Sequence, residues 1–166
     1  MAMTFEGRLQ DRSRWRTDAC SAAKVLDLLS TKTAFLVVRE CLYGTRRFED
    51  FTDRIGASAP AVSRALRQLE AAGIVARAPY QEPGARVRDE YVLTSAGEEL
   101  LPILLALIQW GDKHLQPDGG PLNFVDGDGR AVRVCVTSDD PESAESRDIE
   151  IRANLPQAAR TASNAE

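Results

Sequence analysis

The 166-residue chain has one histidine, three cysteines and only 6% aromatic residues, and each scarcity removes a class of function. A Ser/His/Asp or Cys/His catalytic arrangement would have to use His114, which lies late in a leucine-rich segment, so the chain reads as a non-enzyme. Cys20, Cys41 and Cys135 are odd in number and far apart. They make neither a disulfide framework nor a CxxC zinc site, and no metal or cofactor is expected. No apolar run approaches the roughly 20 residues that span a bilayer, so no membrane partner is expected. Residues 1–16 mix Glu6, Arg8, Asp11, Arg12, Arg14 and Arg16 with no apolar stretch. That pattern is unlike a secretory signal and points to the cytoplasm.

The net charge of −4 is unevenly spread. Residues 1–118 hold 16 Lys+Arg against 16 Asp+Glu, and residues 119–166 hold 5 against 9. The acidity therefore belongs to the C-terminal part. A neutral N-terminal part can still bind nucleic acid if its cations gather on one face.

Apolar spacing predicts a run of helices. Cys20, Ala23, Leu26 and Leu29 form one stripe of a helix over 19–29. A second helix over 34–43, apolar on most sides, ends at Gly44. Phe48, Phe51 and Ile55 mark a third, closed by Gly56. Pro60 opens a fourth that runs to Ala72, with Val62, Leu66 and Leu69 on one side. Two short strands, 74–78 and 90–93, flank a Pro- and Gly-bearing loop. Thr94 or Ser95 starts a long helix to about Leu115, with Ser95-Ala96-Gly97-Glu98 fitting a capping box, and Pro102 should kink it. That helix carries apolar residues over most of its circumference, and its second covering is expected to be another subunit. Beyond a linker at 117–121, strands are expected at 122–125, 131–137 and 149–151. The domain reading is a mobile arm (1–17), a main domain (18–116), a small β extension (117–155) and a disordered tail (156–166).

Helix, helix, helix–turn–helix, hairpin and long helix is the order of a winged helix. The fold class is thus α+β, mainly α, with a long dimerisation helix. The fourth helix is expected to set Ala61, Ser63, Arg64, Arg67 and Gln68 on the side opposite Val62, Leu66 and Leu69. Arginine reads guanine and glutamine reads adenine in the major groove. Arg46, Arg47, Arg86 and Arg88 would hold phosphates.

An ordered set of motifs then stands out: Cys20, Lys32, Arg39-Glu40-Cys41, Arg46-Arg47-Phe48, Leu66 to Val75, and Arg77. It continues with Tyr80-Gln81-Glu82, Glu90-Tyr91-Val92-Leu93-Thr94, Gly97, Leu101-Pro102 and Trp110-Gly111. Over residues 18–115 this set resembles the HxlR family of MarR-like winged-helix regulators. The resemblance implies a homodimer built from the N-terminal and long C-terminal helices, bound to double-stranded DNA at a pseudo-palindromic operator. Lys32 and Ser58 complete the candidate DNA contacts. The chain departs from the family at Thr33, where tryptophan is usual, at Ala65, where arginine is usual, and at the Ala59-Pro60-Ala61 helix start. Residues 119–153 resemble an extension of one subgroup in which cysteine pairs occur. Only Cys135 stands here, so no metal site is inferred.

Three residues suggest a signal input. The resemblance implies that Cys20 could be a redox sensor, since some members of the family sense oxidants through a cysteine near this position; read as a residue alone, it is a small packing residue. Trp110 and Phe124 read either as walls of a site for a small-molecule effector or as core. Asp126-Gly127-Asp128-Gly129 is similar to the start of a calcium loop, but Arg130 and the missing glutamate favour a hairpin turn. The function expected is a sequence-specific transcriptional regulator, a repressor by default. The alternative is a ligand-binding or protein-interaction module that has lost its operator.

Overall fold

The computed structural model describes Asp11, Ser13, residues 16–135 and, as a strand, residues 149–153. The expectations for Arg14 and most of the arm, for Val136 and Thr137, and for the tail 156–166 lie outside the described residues.

A single 3-10 turn at Thr17–Ala19 precedes α1 (Ser21–Leu28), so the first helix starts two residues later than its apolar stripe implies. Thr31 caps α2 (Lys32–Leu42), its Oγ1 accepting from the amide of Ala34 at 3.1 Å. Next come α3 (Phe48–Ile55) and α4 (Ala59–Ala71). Gly56 ends α3 at φ 65°, a left-handed conformation that suits glycine and turns the chain sharply into α4. Pro60 lies in the first turn of α4, where its missing N–H costs nothing.

These helices close on one another. Val37 and Val38 of α2, Phe51 of α3, and Val62, Leu66 and Leu69 of α4 are all essentially sealed from solvent. Burying each contributes about 1.5–3 kcal/mol. Ala34 and Ala65 are buried in the same cluster. Ala65 is thus a core residue, and its departure from the family pattern removes nothing from the outer face.

The hairpin is longer than expected at the tip: β1 (Val75–Tyr80) pairs antiparallel with β2 (Arg88–Leu93), from Val75↔Leu93 to Tyr80↔Arg88. Pro79 is tolerated because β1 is an edge strand. On the other side of β2, the amide of Tyr91 donates to the carbonyl of Arg46 at 2.9 Å, which stitches the chain before α3 to the wing.

The expected long helix is broken. A four-residue turn, α5 (Ser95–Glu98), stops at Glu99–Leu100, and α6 (Leu101–Leu115) begins afresh with Pro102 in its first turn. Proline cannot donate to Glu98, so a new start replaces the predicted kink. The cap is Thr94, not a Ser95/Glu98 box: its Oγ1 accepts from the amide of Gly97 at 3.2 Å and donates to the carbonyl of Gly73 at 2.6 Å. Gly97 is required by contact, since a Cβ there would lie 2.3 Å from the carbonyl oxygen of Ile74.

In the extension, β3 (Leu122–Asp126) pairs antiparallel with β4 (Ile149–Ala153), from Leu122↔Ala153 to Asp126↔Ile149. The expected strand over 131–137 is not formed among its described residues. Ala131 makes one bridge to Val125, and the amide of Val132 donates to the carbonyl of Phe124 at 2.9 Å.

Candidate nucleic-acid interface

The outward side of α4 carries Ser58, Arg64 and Arg67, all exposed, with Ala61 and Ser63 half-buried beside them. Small residues at 61 and 63 keep this side low, so the two guanidinium groups project furthest. Arg67 is steadied by its own helix, its Nη1 donating to Ser63 Oγ one turn back at 2.6 Å. Arg64 has no hydrogen bond or ion pair among the described residues. Ser58 opens the helix through its backbone, its carbonyl accepting from Ala61 and Val62, while its hydroxyl makes no cap bond.

Gln68 is a correction. Its Nε2 donates to the carbonyl of Leu28 at 2.7 Å, at the end of α1. The side chain ties α4 to α1 and does not stand with Arg64 and Arg67. Position 68 lies between Leu66 and Leu69, at the border of the buried stripe, and a partner forty residues away pulls it inward.

The arginines expected to hold phosphates lie together at the wing, but mostly in the company of carboxylates. Arg46 pairs with Glu90 at 3.2 Å, Arg47 with Glu82 at 2.7 Å and Arg88 with Glu49 at 3.5 Å. Arg47 also lies 5.0 Å from the centre of the Tyr80 ring. Arg86 at the tip and Lys32 at the start of α2 are exposed and have no such partner among the described residues.

The frame beneath these cations rests on residues that sequence reasoning did not single out as such. Glu40 is only 5% exposed. Its carboxylate accepts from Arg39 at 2.7 Å and from Thr45 Oγ1 at 3.1 Å, and Thr45 Oγ1 in turn accepts from Arg54 at 2.7 Å. This buried, fully satisfied chain fixes the turn between α2 and α3, and hence the carbonyl of Arg46 against the wing. Nothing local to residue 40 announces it.

Elsewhere α6 keeps an apolar face open. Ile103, Leu107 and Trp110, spaced i, i+4, i+7, are exposed, Trp110 by 57%, and Leu26 of α1 by 70%. Trp110 leans on His114 with ring centres 5.0 Å apart. Trp110 and Phe124 line one groove of about 690 Å³ between α6 and the extension, so the two belong to one surface. Gln109 anchors that surface in a way the sequence does not signal. Its Nε2 donates to the carbonyl of Val134 at 3.0 Å and its Oε1 accepts from the amide of Val134 at 2.6 Å. The side chain substitutes for a strand neighbour.

Cys20 is exposed at the start of α1 and Cys135 is exposed beside the groove. Cys41 is buried, and burial, with the Glu40 charge adding to it, pushes its thiol up to about 12. The Asp126 turn is filled from within. Its carboxylate accepts from the amides of Arg130 at 2.8 Å and Asp128 at 3.0 Å, which holds it below the usual range. Arg130 also pairs with Asp128. Among the described residues no group of His, Cys, Asp or Glu is arranged to hold a metal, and no helix is long and apolar enough to cross a membrane.

Comparison with known proteins gives a consistent outcome. The family model for the HxlR-like helix-turn-helix matches residues 28–119. An HTH-type transcriptional regulator of Mycobacterium tuberculosis, Rv3095, is 35% identical over 110 residues, 66% of this chain and 68% of that one. Among solved structures, the redox regulator HypR in its oxidized form is 30% identical with a TM-score of 0.51, over 57% of this chain and 97% of the other. The transcription-factor candidate PA1607 is 26% identical with a TM-score of 0.58, over 78% of this chain and 99% of the other. A match over 78% of the chain is longer than residues 1–119 alone can supply, so its likeness reaches into the extension.

Proposed function

The chain belongs to the HxlR-like helix-turn-helix family of DNA-binding transcriptional regulators, which are not enzymes, and from that premise we propose that it works as a homodimeric, sequence-specific repressor. Arg64 and Arg67 read base edges in the major groove, helped by the low profile of Ala61 and Ser63. Ser58, Lys32, Arg46, Arg47, Arg86 and Arg88 contact the backbone and set the register. The observation that carries this reading is the outward projection of Arg64 and Arg67 from a helix whose other side is sealed in the core.

The dimer uses α6 and α1. Ile103, Leu107 and Trp110 of α6 and Leu26 of α1 are large apolar residues left open on a single protomer, and a second copy would cover them. A two-fold axis there sets two recognition helices about 34 Å apart on a pseudo-palindromic operator. The operator-bound state blocks a promoter, and the protein works in the cytoplasm alongside its DNA.

The signal enters at the same seam and biases one helix spacing over another. An oxidant would act at Cys20, exposed where α1 begins; a small-molecule effector would act at the Trp110 and Phe124 groove. The likeness to HypR supports the first route.

A gel-retardation assay on the DNA upstream of the protein's own gene tests the reading. In the presence of excess scrambled competitor DNA, wild-type protein is expected to shift it as a dimer, and Arg64→Ala with Arg67→Ala to abolish that specific shift. An unchanged shift by the double variant removes these residues as readers. A monomer by light scattering removes the dimer. For the signal, diamide is expected to weaken binding by wild type and to leave Cys20→Ser unaffected.

A further inference from the structure

The wing lies beside the first turn of α3, and the cleft between them, of about 320 Å³, brings three arginines to three carboxylates: Arg47, Arg86 and Arg88 with Glu49, Asp50 and Glu82. The charges cancel where a DNA-contacting surface would be expected to carry net positive charge. Two of the arginines are engaged: Arg47 with Glu82 at 2.7 Å and Arg88 with Glu49 at 3.5 Å. Both carboxylates are more than half exposed and come from elements flanking the cleft, Glu82 from the tip and Glu49 from α3. Neither pair is needed to hold the fold. The wing is already stitched by the ladder from Val75↔Leu93 to Tyr80↔Arg88 and by the bond from Tyr91 to Arg46. Tyr80 independently supports the Arg47 guanidinium.

We infer that Glu49 and Glu82 are affinity-setting residues that stand in for DNA phosphate in the free protein and lower its affinity for the duplex backbone. A phosphate approaching Arg47 meets a guanidinium already bound to a carboxylate. It must displace Glu82 or share the cation with it, and in either case the carboxylate repels it. The same holds for Arg88 and Glu49. The contribution is independent of base sequence, because phosphates carry no sequence information. It spares Arg64, which has no carboxylate partner among the described residues. The device therefore weakens binding to DNA at large while leaving base reading, and with it the ratio of specific to non-specific binding, intact. This inference rests on the DNA-binding reading above.

Fluorescence anisotropy with two labelled duplexes, the upstream DNA and a scrambled duplex of the same length, tests it. Glu82→Gln and Glu49→Gln are each expected to tighten binding to both duplexes by about two- to fivefold at low salt, the range of one exposed ion pair. The gain should shrink as salt rises. In an Arg47→Gln background, Glu82→Gln should give no gain, which separates a local brake from a general change of net charge. Equal or weaker binding by the single variants, or a gain that survives in the Arg47→Gln background, overturns the inference while leaving the DNA-binding reading standing. Failure of every protein, wild type included, to bind either duplex overturns both.

Discussion

Around Phe51, Leu66 and Leu69 the winged helix closes on itself, whereas the extension buries one large side chain among its described residues, Val125, and leans on α6 through the amide of Gln109. The first region carries a buried cluster of its own. The second draws its order from a two-stranded ladder and from one side chain of its neighbour. The difference separates roles: the rigid region presents Arg64 and Arg67, and the weakly held region borders the groove where a signal would be felt. Low local stability is what a responsive element needs.

The contrast can be broken most forcefully at Phe51. Phe51→Ala is expected to cost about 3–5 kcal/mol in chemical denaturation, because the ring is sealed between helices that cannot collapse onto the gap. DNA binding should fall with it. A loss below about 1 kcal/mol would mean that the core is looser than its burial implies. Gly97→Ala comes next, at about 1–3 kcal/mol, since its Cβ would strike the Ile74 carbonyl and the backbone must shift.

Gln109→Ala sharpens the comparison from the other side. It should free residues 131–135, read as faster amide exchange by about 1 kcal/mol of lost protection, with the melting of the winged helix unmoved. An equal drop in both regions would show that the extension is part of the main cooperative unit.

The effect that vanishes at neutral pH concerns Cys41. Its thiol is raised from 9.0 to about 12 in the folded chain, so between those values the unfolded chain loses its proton first. Stability is unaffected below about pH 9 and declines from there towards pH 12. Subtracting the pH profile of Cys41→Ala isolates this component. At pH 8 a thiol reagent should label Cys20 and Cys135 at once and Cys41 only on unfolding.

Much of the winged helix is legible locally. Phe48, Phe51 and Ile55 with Gly56 mark α3 to the residue, and the expected span from Pro60 to Ala72 lies within one residue of α4 at each end, because periodicity and helix ends are set by near neighbours. What escapes is set by distant partners. Gln68 turns toward Leu28, and β3 pairs with β4 across more than twenty residues in place of the segment that follows it. Pro102 was readable as a disruption of the helix, but the choice between a kink and a fresh start depends on how Gly97 sits on Ile74. The candidate interface divides the same way: the positions of Arg64 and Arg67 follow from helix period, and the carboxylates facing Arg47 and Arg88 do not.

Sequence discrimination by the guanidinium groups of Arg64 and Arg67 is measured most directly as the ratio of affinities for the upstream duplex and its scrambled counterpart at fixed salt. In the Arg64→Ala, Arg67→Ala protein that ratio should collapse towards one while residual salt-dependent binding to both duplexes persists. A ratio equal to that of wild type would contradict the account.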